Sequence, residues 1–398
     1  MPGPNRAADR YTPCYTTLVH EVQIAFGAGV LLIWLYLFFA REYFWRVEPI
    51  PPIPARPVDQ RIVAIVPARD EQAVIARSLT SLLQIPYIHV VLVDDNSTDA
   101  TCRLAIETAA RIGATARLTV VRGALLPPGW SGKLWAVQQG LHSARVLGPD
   151  FFLLTDADIV HSQADLNRLF SIAENGSYDL VSLMVRLRCD TFPEKLLIPA
   201  FVYFFFKLYP PAFIRSPRHT TSGAAGGCML VRPEALEHAG GVQAIRNEII
   251  DDCALARLVK RSGGKVWLGL AEQTHSIRSY GSFVDIGRMI SRTAFNQLRH
   301  SWLLLAGTIL GLLLTYIVPV AMLFSGDITS ALAFVALALM LASYAPLIRY
   351  YGRSPLWAAT LPLAALFYMG ATLHSALKFA LGRGGEWKGR AQDLAHSR

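Results

Sequence analysis

Long stretches without charged residues constrain this chain more than any other feature. Residues 24–40 carry no charged side chain, and three apolar segments follow late in the chain, at 303–324, 328–348 and 356–379. A helix needs about 20 apolar residues to cross a bilayer, so we predict four transmembrane helices. The short turn at 325–327 joins two of them as a hairpin. Charged residues are 17% of the chain, against about 25% in soluble domains, which excludes a typical soluble enzyme.

The first apolar segment is predicted to be an uncleaved anchor. A signal peptide would start nearer Met1 and end in small residues, whereas this segment ends beside Arg41 and the aromatic residues 43–45. Further arginines follow it, at positions 46, 56 and 61. By the positive-inside rule the main domain is therefore cytoplasmic.

The last apolar segment conflicts with this topology. It places the tail outside, yet the tail contains Arg383, Lys388, Arg390 and Arg398. Two explanations stay open: the segment is re-entrant, or the tail is an exception to the positive-inside rule.

The net charge of +9 also points to the membrane. Many basic residues flank apolar segments, which favours anionic lipid headgroups over nucleic acid as the partner. The five cysteines are scattered and form no C-x-x-C pair, which indicates neither a zinc site nor a disulfide framework.

Two further segments are predicted to lie at the membrane interface. Residues 196–213 are apolar and aromatic but contain three prolines and Lys207; a buried core helix is the alternative. Residues 280–300 place apolar side chains on a helical period, with arginines at other positions. They predict a basic amphipathic helix on the membrane, and packing against the main domain is the competing interpretation.

Between the anchor and the late segments, apolar strands alternate with amphipathic helices. The predicted strands are 61–66, 88–93, 118–121, 151–154 and 180–187. The predicted helices are 71–84, 99–112, 133–146 and 162–173, the last starting with a Ser162/Asp165 capping box. This alternation predicts a parallel α/β sheet covered on both faces. Ligands bind beyond the carboxyl ends of such strands.

Acidic residues follow two of these strands. Asp94 and Asp95 follow the second strand, and Asp156 and Asp158 follow the fourth. Neighbouring carboxylates repel each other, and Mg²⁺ or Mn²⁺ would remove that repulsion while binding substrate phosphates. No G-x-G-x-x-G follows the first strand, which argues against a nicotinamide or flavin site.

Three later features also permit chemistry. Lys133 lies near a helix start, with the wrong spacing for a Walker A loop; it could pair with a diphosphate or be a solvated lysine. Asp251 and Asp252 open a helix, where they could serve as a general base or only favour the helix dipole. The small residues at 222–228 suit close approach of backbone to a ligand, or form a flexible loop.

Together these motifs resemble the inverting family-2-type glycosyltransferases with a GT-A nucleotide-sugar domain, over about residues 61–298. The resemblance rests on VPARDE, VDDNSTD, GWSGKLWAVQQG, TDAD, GGCMLVRPEALEHAGG and IIDDCALA. The phrases GWSGKLWAVQQG, RTAFNQL and EWKGR are similar to the hopene-associated glycosyltransferases; ceramide glucosyltransferase is a more distant likeness.

The resemblance implies a role for each motif. Glu71 and Asp95 would contact the nucleoside, Asp156 and Asp158 would hold the metal and diphosphate, and Asp252 would be the base. The remaining predicted residues are Pro67, Arg69, Asp94 and Lys133 in the nucleotide-sugar site, Asp251 beside the base, and Gly227, Cys228, Arg292 and Gln297 on the acceptor side. Many membrane members carry Q-x-x-R-W after the base, and its absence here disfavours a polysaccharide synthase.

We therefore predict a metal-dependent inverting glycosyltransferase that moves a sugar from a nucleotide-diphosphate sugar to a lipid, a hopanoid by resemblance. The fold class is α/β, a GT-A domain with a mostly parallel sheet plus transmembrane helices. The predicted parts are an anchor (1–48), a Pro-rich linker (49–60), the GT-A domain (61–300), three membrane segments (301–382) and a basic tail (383–398), in a multi-pass protein of the inner membrane. A polysaccharide synthase and a non-catalytic nucleotide-binding scaffold are the alternatives.

Overall fold

The chain forms two compact units. The computed structural model describes residues 12–47, 60–382, 386–387 and 390–391, so the predicted linker and most of the basic tail lie outside the described residues. One unit comprises Met1–Arg46 with Ser301–Gly370, and the other comprises Val47–His300 with Ala371–Arg398. We call them the membrane unit and the catalytic unit.

Helices and strands follow one another along the chain. The helices are α1 (Thr12–Leu35), α2 (Ile75–Leu83), α3 (Thr101–Arg111), α4 (Gly132–Ala144), α5 (Gln163–Asn175), α6 (Phe192–Leu208), α7 (Pro211–Arg215), α8 (Pro233–His238), α9 (Asp251–Arg261), α10 (Phe283–Ser291), α11 (Ala294–Gln297), α12 (Trp302–Leu312), α13 (Val318–Met322), α14 (Ile328–Tyr350) and α15 (Leu361–Ala380). The strands are β1 (Ile62–Ala68), β2 (Ile88–Asp94), β3 (Leu118–Arg122), β4 (Phe151–Leu154), β5 (Ile159–Val160), β6 (Leu180–Arg186), β7 (Met229–Val231), β8 (Val266–Ser276), β9 (Glu386–Trp387) and β10 (Arg390–Ala391).

Within the described part of the chain, five helical segments are long and apolar enough to cross a membrane. They are Glu21–Ala40, Phe192–Arg215, Trp302–Met322, Ile328–Tyr350 and Pro355–Ala380. Four of them match the predicted transmembrane segments, which are confirmed as long apolar helices.

The fifth segment includes α6, for which the sequence left two interpretations open. Half of its most apolar window is buried, as a core helix requires, while Phe192 and Leu208 are exposed. The helix begins with a capping box, in which Thr191 accepts a hydrogen bond from the Glu194 N–H and Glu194 accepts one from the Thr191 N–H.

The helices of the membrane unit pack closely. Trp34 of α1 is fully buried; its Nε1 donates to the Thr315 carbonyl at 2.8 Å and its ring meets Tyr316 edge-on. At Gly27 of α1 an added Cβ would lie 3.1 Å from Met322 and 3.2 Å from Thr329. A larger residue here would require these side chains to shift by a few tenths of an ångström, so Gly27 allows α1 to approach α13 and α14 closely.

The sheet of the catalytic unit is mixed, with most pairings parallel. Its eight strands lie in the order β3-β2-β1-β4-β7-β6-β8-β5. Strands β3, β2, β1 and β4 are parallel, as are β6 and β8, whereas β7 is antiparallel to both neighbours and β5 is antiparallel to β8. All seven residues of β1 are buried, as expected for a strand covered on both faces. The sequence analysis did not predict β5, β7 or β8.

The predicted capping box at the start of α5 is wrong. Ser162 donates to Gln273 Oε1 at 3.0 Å instead of capping its own helix. Asp165 is buried and accepts hydrogen bonds from the N–H groups of Gln273 and Thr274 at 2.8 and 2.6 Å. Both side chains thus join α5 to β8, because an Asp buried away from water needs nearby donors.

The single amphipathic helix predicted over 280–300 is also wrong. Helix α10 ends at Ser291 and α11 starts at Ala294. The Ser375 hydroxyl donates to the Ser291 carbonyl at 2.5 Å and accepts from the Phe295 N–H at 3.1 Å. These bonds hold backbone groups at the break between α10 and α11. Phe295 is buried, which favours packing within the catalytic unit for this residue.

Candidate active site

A cleft of about 260 Å³ opens at the carboxyl ends of β1, β4, β6 and β8. One part of its lining is polar and charged: Glu71, Lys133, Asp156, Asp158, Asp252, Ser276, Arg278, Tyr280 and Arg292. Another part is apolar, and includes Met184, Leu187, Phe201 and Phe205. The cleft lies where the strand-end rule placed the ligand site.

Lys133 connects two of the predicted acids. It is the second residue of α4, whose first turn is capped by Ser131. Its Nζ lies 2.9 Å from Asp156 Oδ1 and 2.9 Å from Asp251 Oδ2. Although burial lowers the pKa of Lys133, the two carboxylates raise it above its ordinary value. Lys133 is therefore a fixed cation between β4 and α9, not a solvated lysine.

A second cation, Arg278, connects Asp158 with Glu71. Its Nη2 donates to Glu71 Oε1 at 2.8 Å and its Nε donates to Asp158 Oδ2 at 3.1 Å. The Ser276 hydroxyl donates to the same oxygen of Asp158 at 2.8 Å. Burial lowers the pKa of Arg278, but the charges of Asp158 and Glu71 outweigh burial and raise this pKa above its ordinary value.

Asp252 lies in the first turn of α9 and lines the same cleft. Its Oδ2 accepts a hydrogen bond from the Gly226 N–H at 2.9 Å, and its Oδ1 accepts one from the Cys253 N–H at 2.7 Å. Burial and the neighbouring charge of Asp251 raise the pKa of Asp252 to about 6, against the opposing effects of Lys133 and the two N–H groups. A carboxylate with a raised pKa in a cleft has the properties of a general base.

The carboxylates of Asp156 and Asp158 fit a divalent metal ion. Their contacts within the described part of the chain use Oδ1 of Asp156 and Oδ2 of Asp158, which leaves the second oxygen of each for a ligand. Burial and the charge of Asp158 raise the pKa of Asp156, so a cation here would stabilise its ionised form. The described residues contain no group of three or more candidate ligands. Mg²⁺ is usually bound through one or two carboxylates and completes its shell with water and substrate phosphates, so Asp156 and Asp158 would be enough to hold it.

Repulsion between these two carboxylates does not by itself require a metal, however. The structure supplies Lys133 and Arg278 as counter-charges instead. The case for a metal therefore depends on the remaining carboxylate oxygens.

Pro67, Arg69, Asp94 and Asp95 cluster at the ends of β1 and β2. Pro67 and Glu71 line the cleft, whereas the other three lie beside it. Arg69 Nη1 donates to the Asp95 carbonyl at 2.7 Å and lies 3.7 Å from Asp95 Oδ2. Asp94 accepts from the Ser97 N–H at 3.2 Å. Arg69 and Asp95 are thus in contact at the ends of β1 and β2, and Asp94 accepts a hydrogen bond from its own loop.

Only two of the four residues predicted on the acceptor side line the cleft. Gly227 and Arg292 line the cleft. The Cys228 side chain is fully buried in the hydrophobic core instead, so the structure does not place it for contact with an acceptor. Gln297 does not line the cleft and donates to the Tyr209 hydroxyl at 2.6 Å.

Several cleft residues were missed from the sequence. Ser276 is the last residue of β8, Arg278 and Tyr280 follow this strand, and Phe201 and Phe205 belong to α6. The sequence did offer a signal for these residues, the apolar first half of β8. Had Val266–Ser276 been recognised as a strand, the strand-end rule would have pointed to Ser276 and Arg278.

The family is shown by comparison with known proteins. The family model described as Glycosyltransferase like family 2 matches residues 59–279. Among solved structures, the mannosyltransferase PcManGT from Pyrobaculum calidifontis, in complex with GDP-Man and Mn²⁺, is 19% identical, covers 90% of this chain and 98% of its own, and has a TM-score of 0.56. Glucosyl-3-phosphoglycerate synthase from Mycobacterium tuberculosis, in complex with phosphoglyceric acid, is 18% identical, covers 58% and 76%, and has a TM-score of 0.37.

The family match spans most of the residues that line the cleft, all but Tyr280 and Arg292, and the likeness to the Pyrobaculum enzyme shows the same fold. The predicted fold class, an α/β GT-A domain with apolar helices outside it, is confirmed. The chain belongs to glycosyltransferase-like family 2 and is a glycosyltransferase.

Proposed function

We propose that the chain transfers a sugar from a nucleotide-diphosphate sugar to the hydroxyl group of a membrane lipid, with inversion at the anomeric carbon. The observation that carries this proposal is the position of Asp252, a buried carboxylate of raised pKa, in the same cleft as Lys133, Asp156 and Asp158. The cleft thus offers both a proton acceptor and positive charge for a diphosphate.

The donor would bind along the ends of β1, β2 and β4. Lys133 and Arg278 supply positive charge for the diphosphate, and Asp95 and Glu71 supply acceptors for nucleoside N–H or hydroxyl groups. The Pyrobaculum enzyme binds GDP-Man and Mn²⁺, which supports a nucleotide sugar as the donor class. Asp156 and Asp158 would hold Mg²⁺ or Mn²⁺, whose charge would stabilise the leaving diphosphate.

Asp252 would act on the acceptor. It takes the proton of the acceptor hydroxyl while that oxygen attacks the anomeric carbon. The new carbon–oxygen bond forms as the bond to the diphosphate oxygen breaks, so a single displacement inverts the configuration. Asp251 is held by Lys133, and its negative charge keeps the pKa of Asp252 high.

The apolar part of the cleft supports a lipid acceptor. Phe201 and Phe205 are four residues apart on α6 and so lie on one face of it, and Met184 and Leu187 come from the end of β6. Apolar side chains beside a catalytic carboxylate suit a molecule with a hydroxyl on an apolar body. The sequence resemblance points to a hopanoid. The five apolar helices and the basic residues after α1 support an inner-membrane protein with a cytoplasmic cleft. We propose the same parts as from the sequence: anchor, linker, GT-A domain, membrane segments and basic tail.

The test is transfer of label by full-length protein in membranes. Radiolabelled GDP-mannose and UDP-glucose are incubated with the membranes and a total bacterial lipid extract, and label in the organic phase is counted. We expect lipid labelling by the wild type and a loss of about 1,000-fold in Asp252→Asn, since the base is absent.

Glu107→Gln is the matched control. It also removes one carboxylate, but from an exposed pair with Arg103, and such pairs contribute little. Near-wild-type labelling by Asp252→Asn would exclude Asp252 as the base. Label in a water-soluble polymer, with none in lipid, would favour the synthase alternative.

A further inference from the structure

The Gly226 N–H donates a hydrogen bond to Asp252. It belongs to residues 225–227, which lie near the end of the loop between α7 and β7. At Gly226 an added Cβ would lie 3.4 Å from Asp252 Oδ2 and 3.5 Å from Lys133 Nζ. At Gly227 it would lie 3.0 Å from Val185. The segment therefore lies beside the acid and the lysine at Gly226 and packs tightly against β6 at Gly227, and its position decides where the Gly226 N–H points.

Ser182 of β6 holds this segment on one side. Its hydroxyl accepts a hydrogen bond from the Ala225 N–H at 2.9 Å and donates to the Ala225 carbonyl at 3.1 Å. Ser182 is fully buried. One side chain thus binds both backbone groups of the residue that precedes Gly226.

Thr155 and His161 hold the segment on the other side. The Thr155 hydroxyl donates to the Gly227 carbonyl at 2.8 Å and lies 2.8 Å from His161 Nε2. A hydroxyl has one proton to donate, so His161 must donate to Thr155 through Nε2–H. This leaves His161 Nδ1 buried without a hydrogen-bond partner among the described residues, an arrangement that costs stability. His161 stays neutral, since burial lowers its pKa to about 3.

We propose that Ser182 and the Thr155–His161 pair are positioning residues for catalysis, which hold residues 225–227 at both ends so that the Gly226 N–H fixes the orientation of the Asp252 carboxylate. This inference rests on the proposed role of Asp252 as the base. The competing explanation is that these bonds only satisfy buried backbone groups, and it predicts an effect on stability without a specific effect on turnover.

Ser182→Ala in the full-length protein separates the two explanations. The matched control is Ser171→Ala, which also removes a buried hydroxyl bonded to a carbonyl, that of Asn167 in α5. With radiolabelled GDP-mannose or UDP-glucose and lipid extract, we expect Ser182→Ala to lower the apparent kcat about tenfold or more, because a misplaced base slows the chemical step. The KM for the donor stays within about twofold, and Ser171→Ala keeps the wild-type kcat.

The double variant Ser182→Ala/Asp252→Asn tests whether Ser182 acts through Asp252. In the Asp252→Asn background, Ser182→Ala should change the residual rate by less than about twofold, because residues that act as a unit are not additive. A further tenfold fall there, or a kcat of Ser182→Ala equal to that of Ser171→Ala, overturns the proposal.

A second pair of variants applies if Ser182→Ala does not fold in detergent. Thr155→Val removes the hydroxyl, and Thr155→Ser keeps it. We expect a low kcat in the first and recovery in the second; equal kcat values overturn the proposal. Activity retained by Asp252→Asn would instead refute the assignment of the base, so the two failures are distinguishable.

Discussion

Lowering the pH should slow this enzyme by protonating Asp252. Burial and the charge of Asp251 raise the pKa of this carboxyl from 3.8 to about 6, and a general base works only when deprotonated. Its ionised fraction falls from about nine-tenths at pH 7 to about one-tenth at pH 5. The rate should therefore fall about tenfold over this range. A carboxyl with its ordinary pKa would stay ionised throughout.

The assay is the initial rate of sugar transfer to lipid, at low donor concentration, between pH 5 and pH 8. Donor binding is measured over the same range, so that a loss of affinity is separated from a loss of base. Glu107→Gln should show the same acid limb as the wild type. The residual rate of Asp252→Asn should show none, because the titrating group is absent.

A rate that is flat from pH 7 to pH 5, with donor binding intact, would refute the role of a raised pKa. An acid limb that persists unchanged in Asp252→Asn would show that another group titrates, and the base would have to be sought elsewhere in the cleft.

Three further outcomes are expected. Removing divalent cations with a chelator should abolish transfer and Mn²⁺ or Mg²⁺ should restore it; full activity in the chelator, measured by lipid labelling, would exclude the metal. Arg278→Gln leaves Asp158 and Glu71 without their shared counter-charge, so we expect a higher KM for the donor and a stability loss of about 1–3 kcal/mol by thermal unfolding. Gly140→Ala would place a Cβ 2.5 Å from Ile65 between α4 and the sheet, which should cost about 1–3 kcal/mol; an unchanged melting temperature would contradict this packing.

The strand-end acids could be predicted because they depend on local sequence. Parallel strands present their carboxyl ends at one edge, so Asp95, Asp156 and the first strand's loop had to lie near one another. The position of Lys133 at a helix start also depends on local sequence and could be predicted. Its ion pairs with Asp156 and Asp251 were not predicted, and Asp251 comes more than a hundred residues later in the chain.

The features that the sequence did not predict depend on contacts between residues far apart in the chain. Arg278 reaches the cleft because β8 pairs with β6 in parallel, and the distance along the chain between them hides this from local patterns. The break after Ser291 depends on Ser375, which comes 84 residues later. Asp165 matched a capping box by spacing, yet the N–H groups of β8 bind it instead. In the last two cases, hydrogen bonds to residues far away in the chain accompany the departure from the local pattern.

We propose above all that this cleft joins a nucleotide-linked sugar to a membrane lipid. The most direct measurement is mass spectrometry of the lipid extract after incubation with wild-type membranes and unlabelled GDP-mannose or UDP-glucose, with Asp252→Asn membranes in parallel. We expect a lipid whose mass rises by one hexose in the wild type only, with inverted anomeric configuration by NMR. Release of the nucleotide without a sugar-bearing lipid, or retention of configuration, would contradict it.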